Sequence, residues 1–197
     1  MKKPILIPVL SIALAAVILL AAAFGLNGIA AKNAQAEHLA IMQTILPGSE
    51  AFTLEPYAGE DANIVSVHKA ENGYVIETVT YGYAGDITML IGVSNAGKVT
   101  GLVVRDMSET FGLGAQALTD HVFLAQFLNS AGTFAVATSG ADAFSGATGE
   151  AEGEADVNVD AITGATVTSK AIVRCVNSAV AYVTGADVAS GATSWGG

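Results

Sequence analysis

The apolar residues of this chain change their spacing along its length, and each change marks a different element. Pro4 to Ala31 run without a single charge. From Ala34 to Leu46 the spacing turns helical, with Leu39, Met42, Ile45 and Leu46 on one face and Pro47-Gly48 as the stop. Four short strand patterns follow, at Ile64–His68, Tyr74–Tyr81, Ile87–Val93 and Val99–Arg105. Asn72-Gly73 joins the first two and Asn95-Ala-Gly97 the last two, both good hairpin turns. Helical spacing returns over Ala115–Asn129 through Leu118, Val122, Phe123 and Phe127, with Thr119 as its cap. It returns again over Thr168–Val183 through Ile172, Cys175, Val176, Ala179, Val180 and Val183. Strands in succession, with helices only before and after, predict an α+β fold built on an antiparallel sheet with flanking helices. Residues 138–156 are acidic and rich in Gly and Ala, lack apolar periodicity, and read as a solvated insertion.

The amino-terminal run decides the compartment. Pro4–Leu26 at about 1.5 Å per residue covers roughly the 30 Å hydrocarbon core of a bilayer. Lys2 and Lys3 precede it and no basic residue follows immediately, which predicts a single-pass anchor with its N-terminus in the cytoplasm. Ala34-Gln-Ala36 has the shape of a signal-peptidase site, but the apolar run is longer than a signal h-region. Under either reading the rest of the chain is exported. The organisation expected is an anchor over residues 1–31, a connecting helix and lead-in over 32–63, one domain over 64–185 and a tail over 186–197.

The richest chemistry lies at Asp160-Ala-Ile-Thr-Gly-Ala-Thr166, placed just before the last helix. Helix N-termini present unpaired N–H groups and a partial positive charge, which suit a phosphate. Gly164 and Ala165 remove side-chain bulk beside that backbone, and Thr166 adds a hydroxyl. A plain capped helix start, with Thr166 or Thr168 as cap, accounts for the helix but not for the whole heptapeptide. The segment resembles the flavinylation motif D-x-x-[ST]-G-A-T of the FMN-binding domain family. That family includes the G subunit of the Rnf complex and the C subunit of the sodium-pumping NADH:quinone reductase. The resemblance implies FMN joined through a phosphoester to Thr166 by a flavin transferase, which recognises Asp160, Thr163, Gly164 and Ala165.

The same pattern recurs at Asp142–Thr148 and Asp187–Thr193. Thr148 leads into an acidic loop sequence and Thr193 lies near the C-terminus, so neither precedes a helix that could dock. Thr166 is therefore the expected tether. A second segment, Ser108-Glu-Thr-Phe-Gly-Leu-Gly-Ala115, is similar to the family's E-T-P-G-L-G run, with Phe111 in place of proline. The resemblance implies that Glu109, Thr110, Gly112, Leu113 and Gly114 lie against the flavin. Gly82-Tyr-Ala-Gly85, leading into Ile87–Val93, also resembles the family.

Composition narrows the remainder. Acidic residues outnumber basic ones 18 to 8, for a net charge of −10, which argues against a nucleic-acid partner. The lone Cys175 sits on the apolar stripe of the last helix and reads as a small buried hydrophobe. His38, His68 and His121 are dispersed without metal-ligand spacing, and no nucleophile elbow, Walker loop or Cys-x-x-Cys occurs. No catalytic or metal residue is expected.

Taken with the resemblance, these features imply an electron-transfer subunit carrying covalent FMN in a membrane-bound ferredoxin:NAD⁺ oxidoreductase. That complex would couple electron flow to Na⁺ or H⁺ translocation, with other membrane subunits as partners. The alternatives are a stand-alone exported flavoprotein, a quinone reductase subunit, or an anchored interaction module without cofactor.

Overall fold

The computed structural model describes residues 14–15, 30, 32–108, 115, 119–137 and 155–186. The chain divides into two compact units, residues 1–41 and 42–197. In the first, the described stretch 32–41 is helical, and the helix, α1, runs over residues 32–45. Among the described residues no helix is long and apolar enough to cross a membrane. The expected anchor, Pro4–Leu26, lies outside the described residues except for Leu14 and Ala15.

The second unit is built on a five-stranded antiparallel meander. Its strands are β1 (Thr53–Glu55), β2 (Ile64–Lys69), β3 (Gly73–Tyr81), β4 (Asp86–Ser94) and β5 (Val99–Met107), neighbours in space in that order. The four strands expected from alternation are present within a residue or two. Both hairpins form, with Lys69 opposite Tyr74 across the first turn and Val93 opposite Val99 across the second. The three-residue β1 is too short for a period to show.

Helix α3 (Thr166–Thr184), which follows the short α2 (His121–Ala125) along the chain, covers one face of this sheet. Ile76, Ile87, Met89 and Ile91 from the sheet and Ile172, Cys175, Val176 and Ala179 from the helix are all fully buried in one cluster. Each large side chain so removed from water contributes about 1.5–3 kcal/mol. Cys175 is the small buried hydrophobe that its place on the stripe suggested, and burial pushes its thiol up to about 11. It stays protonated and unreactive in the native state.

The other face carries the last turn of α1. Met42, Ile45 and Leu46 are buried there, and the Thr100 hydroxyl donates to the Ile45 carbonyl at 2.6 Å. Gly92 and Gly101 are opposite each other on β4 and β5. A Cβ on Gly92 would lie 2.4 Å from the Ile45 carbonyl oxygen, and one on Gly101 would lie 2.7 Å from Ile45 Cα. The helix end rests directly on backbone, which only the absence of side chains permits.

Two features depart from expectation. The helix expected over 115–129 with Thr119 as cap is interrupted: Ala115 and Thr119 are helical, and α2 (His121–Ala125) starts anew behind its cap Asp120. The Asp120 carboxylate accepts from the amides of Val122 at 2.8 Å and Phe123 at 3.2 Å, and its extended ψ of 104° breaks the helix there. The Thr119 hydroxyl donates instead to the Ala115 carbonyl at 3.2 Å and leaves the cap to Asp120. Beyond the meander, β6 (Phe134–Ala137) and β7 (Val157–Asp160) pair in parallel, with Phe134 opposite Val157 and Ala137 opposite Asp160. The Asp156 carboxylate fixes the start of that pair by accepting from the Thr133 amide at 2.8 Å and its hydroxyl at 3.0 Å.

Candidate functional site

The Asp160–Thr166 heptapeptide forms the corner between β7 and α3, and polar side chains fix it from both sides. The Gln126 side-chain amide clamps the backbone of Asp160: its oxygen accepts the Asp160 N–H at 2.7 Å and its nitrogen donates to the Asp160 carbonyl at 3.3 Å. Within the corner the Ala165 N–H closes a turn onto the Ile162 carbonyl at 2.9 Å, and Gly164 adopts φ 80°. A side chain is disfavoured at that angle, so glycine is required by the turn itself. From the helix side, the buried Ser169 hydroxyl accepts from the Ile162 N–H at 3.2 Å and donates to the Ala165 carbonyl at 3.0 Å. Each such bond contributes about 0.5–1.5 kcal/mol net.

The corner is rigid yet uncovered. Asp160, Thr163 and Gly164 are exposed, Thr166 is half-buried as the first helical residue, and Ala165 is buried behind them. The N-cap position is Ala165, which makes no side-chain cap bond, so the alternative of a threonine cap is not what the chain adopts. The first turn thus presents its amide end and the positive end of the helix dipole with no bond from the cap side chain itself. A Cβ-free, positive-φ glycine, a small alanine and a threonine hydroxyl at that end suit a phosphoester.

The structure brings together five of the expected site residues: Asp160, Thr163, Gly164, Ala165 and Thr166. Glu109, Thr110, Gly112, Leu113 and Gly114 lie outside the described residues, as do Thr148 and Thr193. The strand that leads into residues 109–114 is described. The Ser108 N–H donates to the Asp86 carbonyl at 3.0 Å, and Gly85 packs against Ser108, so the chain leaves the sheet beside the 82–85 turn.

The same sheet end is gripped by α3. Arg174 Nη2 donates to the Tyr81 carbonyl at 2.9 Å and its Nε to the Thr80 hydroxyl at 3.4 Å. Burial pulls this guanidinium below its ordinary value, against a smaller opposing effect of Cys175. Tyr81 and Tyr83, at the same end of the sheet, are exposed. On the opposite flank, the Asn177 amide accepts from the Phe134 N–H and donates to its carbonyl, both at 2.9 Å, securing β6.

Gln126, Ser169, Arg174 and Asn177 were not singled out by sequence. Ser169 falls on the buried face of the helix among Ile172, Val173 and Val176, which is the signal it offers; Gln126 offers none. A cavity of about 420 Å³ lies elsewhere, between Tyr57 and Asp61 of the β1–β2 connection and Ser178 and Tyr182 of α3, and is separate from the corner.

The description "FMN-binding domain" applies to the family model that matches residues 82–181. The chain is 35% identical over 154 residues to the G subunit of the ion-translocating oxidoreductase complex of Methanosarcina acetivorans, covering 72% of each chain. It is 36% identical over 109 residues to the G subunit of the Na⁺-translocating ferredoxin:NAD⁺ oxidoreductase complex of Acetobacterium woodii, covering 55% of this chain and 47% of that one. Against the G subunit of the proton-translocating ferredoxin:NAD⁺ oxidoreductase complex of Clostridium ljungdahlii it is 36% identical over 111 residues, or 56% and 53% of the two chains. The chain therefore spans about half the length of two of these relatives. Among solved structures, the crystal structure of Shewanella oneidensis NqrC aligns at a TM-score of 0.45 and 16% identity, covering 74% of this chain and 73% of that one.

Proposed function

This chain belongs to the FMN-binding domain family, and from that premise we propose that it is the electron-carrying G-type subunit of a membrane-bound, ion-translocating ferredoxin:NAD⁺ oxidoreductase of the Rnf kind. The domain extends over residues 64–185 and carries FMN as a phosphoester of Thr166. What supports the reading most is the β7–α3 corner, where the heptapeptide is held rigid and exposed at an amide-rich helix start. The three relatives are all named as G subunits of such complexes, which favours this assignment over a quinone reductase subunit or a free-standing flavoprotein.

The residues divide the work. Gln126 and Ser169 hold the corner in the one conformation in which Gly164 and Ala165 leave the backbone open. Thr166 offers its hydroxyl as the acceptor of the phosphoryl group, and the exposed Asp160 and Thr163 face a flavin transferase. Glu109, Thr110, Gly112, Leu113 and Gly114 continue from the sheet end at Ser108 and line the flavin. The isoalloxazine, when bound, supplies the electron-accepting and electron-donating chemistry. Pro4–Leu26 tethers the domain on the extracytoplasmic side, within reach of integral partner subunits.

Expression with and without a flavin transferase, followed by denaturing electrophoresis, tests the proposal. The parent chain should fluoresce yellow-green in the gel only with the transferase. Thr166→Val should lose that fluorescence while keeping its circular dichroism. A fluorescent Thr166→Val band would sink the assignment.

A further inference from the structure

Resting on the reading of this chain as one subunit of a larger complex, we propose that the cavity between the β1–β2 connection and α3 receives a basic side chain, arginine or lysine, of a partner subunit. The cavity is lined by Tyr57, Glu60 and Asp61 from the connection and by Ser178, Ala181 and Tyr182 from the helix. Its volume of about 420 Å³ is far more than the roughly 30 Å³ share of one water molecule, so it holds a group the size of a side chain. Two directed bonds fix its walls. The Tyr57 hydroxyl accepts from the Asp61 N–H at 3.0 Å, and the Asn63 side chain donates to the buried Ser178 hydroxyl at 3.2 Å. Ala58, Gly59 and Glu60 are exposed at its rim, where a neighbouring protein can reach it.

Aromatic rings beside carboxylates are what an organic cation binds, the ring through its quadrupole and the carboxylate through its charge. The adjoining side of the same ring cluster already works this way. Tyr182 meets Tyr57 at 5.9 Å and Tyr74 at 5.7 Å. Over the Tyr74 ring stands the Lys69 ammonium, 5.7 Å from the centroid and 3.3 Å from the Glu55 carboxylate. Burial first, and then Glu55, push the Tyr182 hydroxyl above its ordinary range, with Lys69 opposing in part. On the cavity side the rings and carboxylates recur without a lysine. One oxygen of Asp61 accepts from the Asn63 N–H at 2.9 Å; the other is buried and has no hydrogen-bond partner among the described residues. The chain has eight basic residues, of which Lys2 and Lys3 alone lie outside the described ones, and none of the other six lines the cavity. In the proposed topology those two lysines stand across the membrane from this domain. With a net charge of −10 the chain is the acidic side of any charge-complementary interface, so the cation comes from a partner.

The test uses the full chain in detergent, with ¹³C-labelled tyrosine rings, and N-acetyl-arginine methylamide as the probe. The Tyr57 and Tyr182 resonances, assigned with Tyr57→Phe and Tyr182→Phe, should shift saturably. The neutral isostere N-acetyl-citrulline methylamide should leave them in place. Asp61→Asn and Glu60→Gln should weaken the arginine probe by about threefold or more. Glu60 is exposed, so its variant decides the matter if Asp61→Asn fails to fold. No saturable shift, equal shifts with the citrulline probe, or weakening in neither folded variant would overturn the proposal. A photo-crosslinking residue at Ala58, in the chain assembled in its own membrane, identifies the source of the cation. The crosslinked peptide should belong to another subunit and carry an arginine or lysine. A crosslinked peptide without a basic residue, or no crosslink to a subunit while the arginine probe still binds, would overturn the partner assignment and leave a free amine as the ligand. A chain that copurifies with no other subunit would instead remove the subunit reading on which this inference stands, whatever the ring titration shows.

Discussion

The two ends of α3 are held in opposite ways. From its second turn toward its C-terminus the helix is fixed by apolar packing: Ile172, Val176 and Ala179 are fully buried against the sheet, and Tyr182 meets Tyr57 and Tyr74 edge-on at 5.9 and 5.7 Å. Toward its N-terminus it is fixed by directed hydrogen bonds from Ser169 and, through β7, from Gln126, while Asp160, Thr163 and Gly164 stay exposed. Apolar burial stabilises without regard to direction, and it hides what it stabilises. Polar clamps define a conformation while leaving its outer surface open, which a site for covalent modification needs.

Substitutions should separate the two ends. Ile172→Ala is expected to have the largest effect on folding, a loss of about 2–5 kcal/mol in chemical denaturation. Folded Ile172→Ala protein should still be flavinylated fully; loss of flavin without unfolding would show that the ends are not independent. Ser169→Ala removes two hydrogen bonds of the corner, for about 1–3 kcal/mol. Its distinguishing outcome is slower flavin incorporation by the transferase at a temperature where the variant remains folded. Parent-like incorporation would mean that the clamp does not prepare the site.

A smaller effect is expected at Asp156. The amide and hydroxyl of Thr133 hold its carboxyl below the ordinary aspartate range. Its contribution should be full above about pH 4, the value of a free aspartate, and should fade as pH falls through the lowered native value. The fully exposed setting keeps the effect on stability small. Titration of the Asp156 carboxyl followed by NMR should show a midpoint below that of an unfolded peptide, and an ordinary or raised midpoint would remove its role in fixing the start of the β6–β7 pair.

The difference between the ends also explains what could be read from sequence. The meander and the buried stripe of α3 announce themselves because apolar periodicity is a local pattern, repeated over nine-residue strands and a nineteen-residue helix. β6 and β7 have four residues each, too few for a period, and their parallel pairing joins segments 23 residues apart. The cap is Asp120 rather than Thr119 because the Thr119 hydroxyl turns back to the Ala115 carbonyl while the Asp120 carboxylate reaches forward to two amides, a choice between adjacent polar residues that their order alone does not reveal. In the corner, the heptapeptide itself was legible from Asp160 to Thr166. Its supports were not, since Gln126 acts across 34 residues and Arg174 reaches the sheet across 93.

The most direct measurement is peptide mass mapping of the flavinylated parent protein. The account predicts a single FMN addition on the peptide containing Thr166, with the hydroxyl of that residue esterified, and unmodified peptides at Thr148 and Thr193. FMN found on either of the other two threonines, or on none, would contradict it.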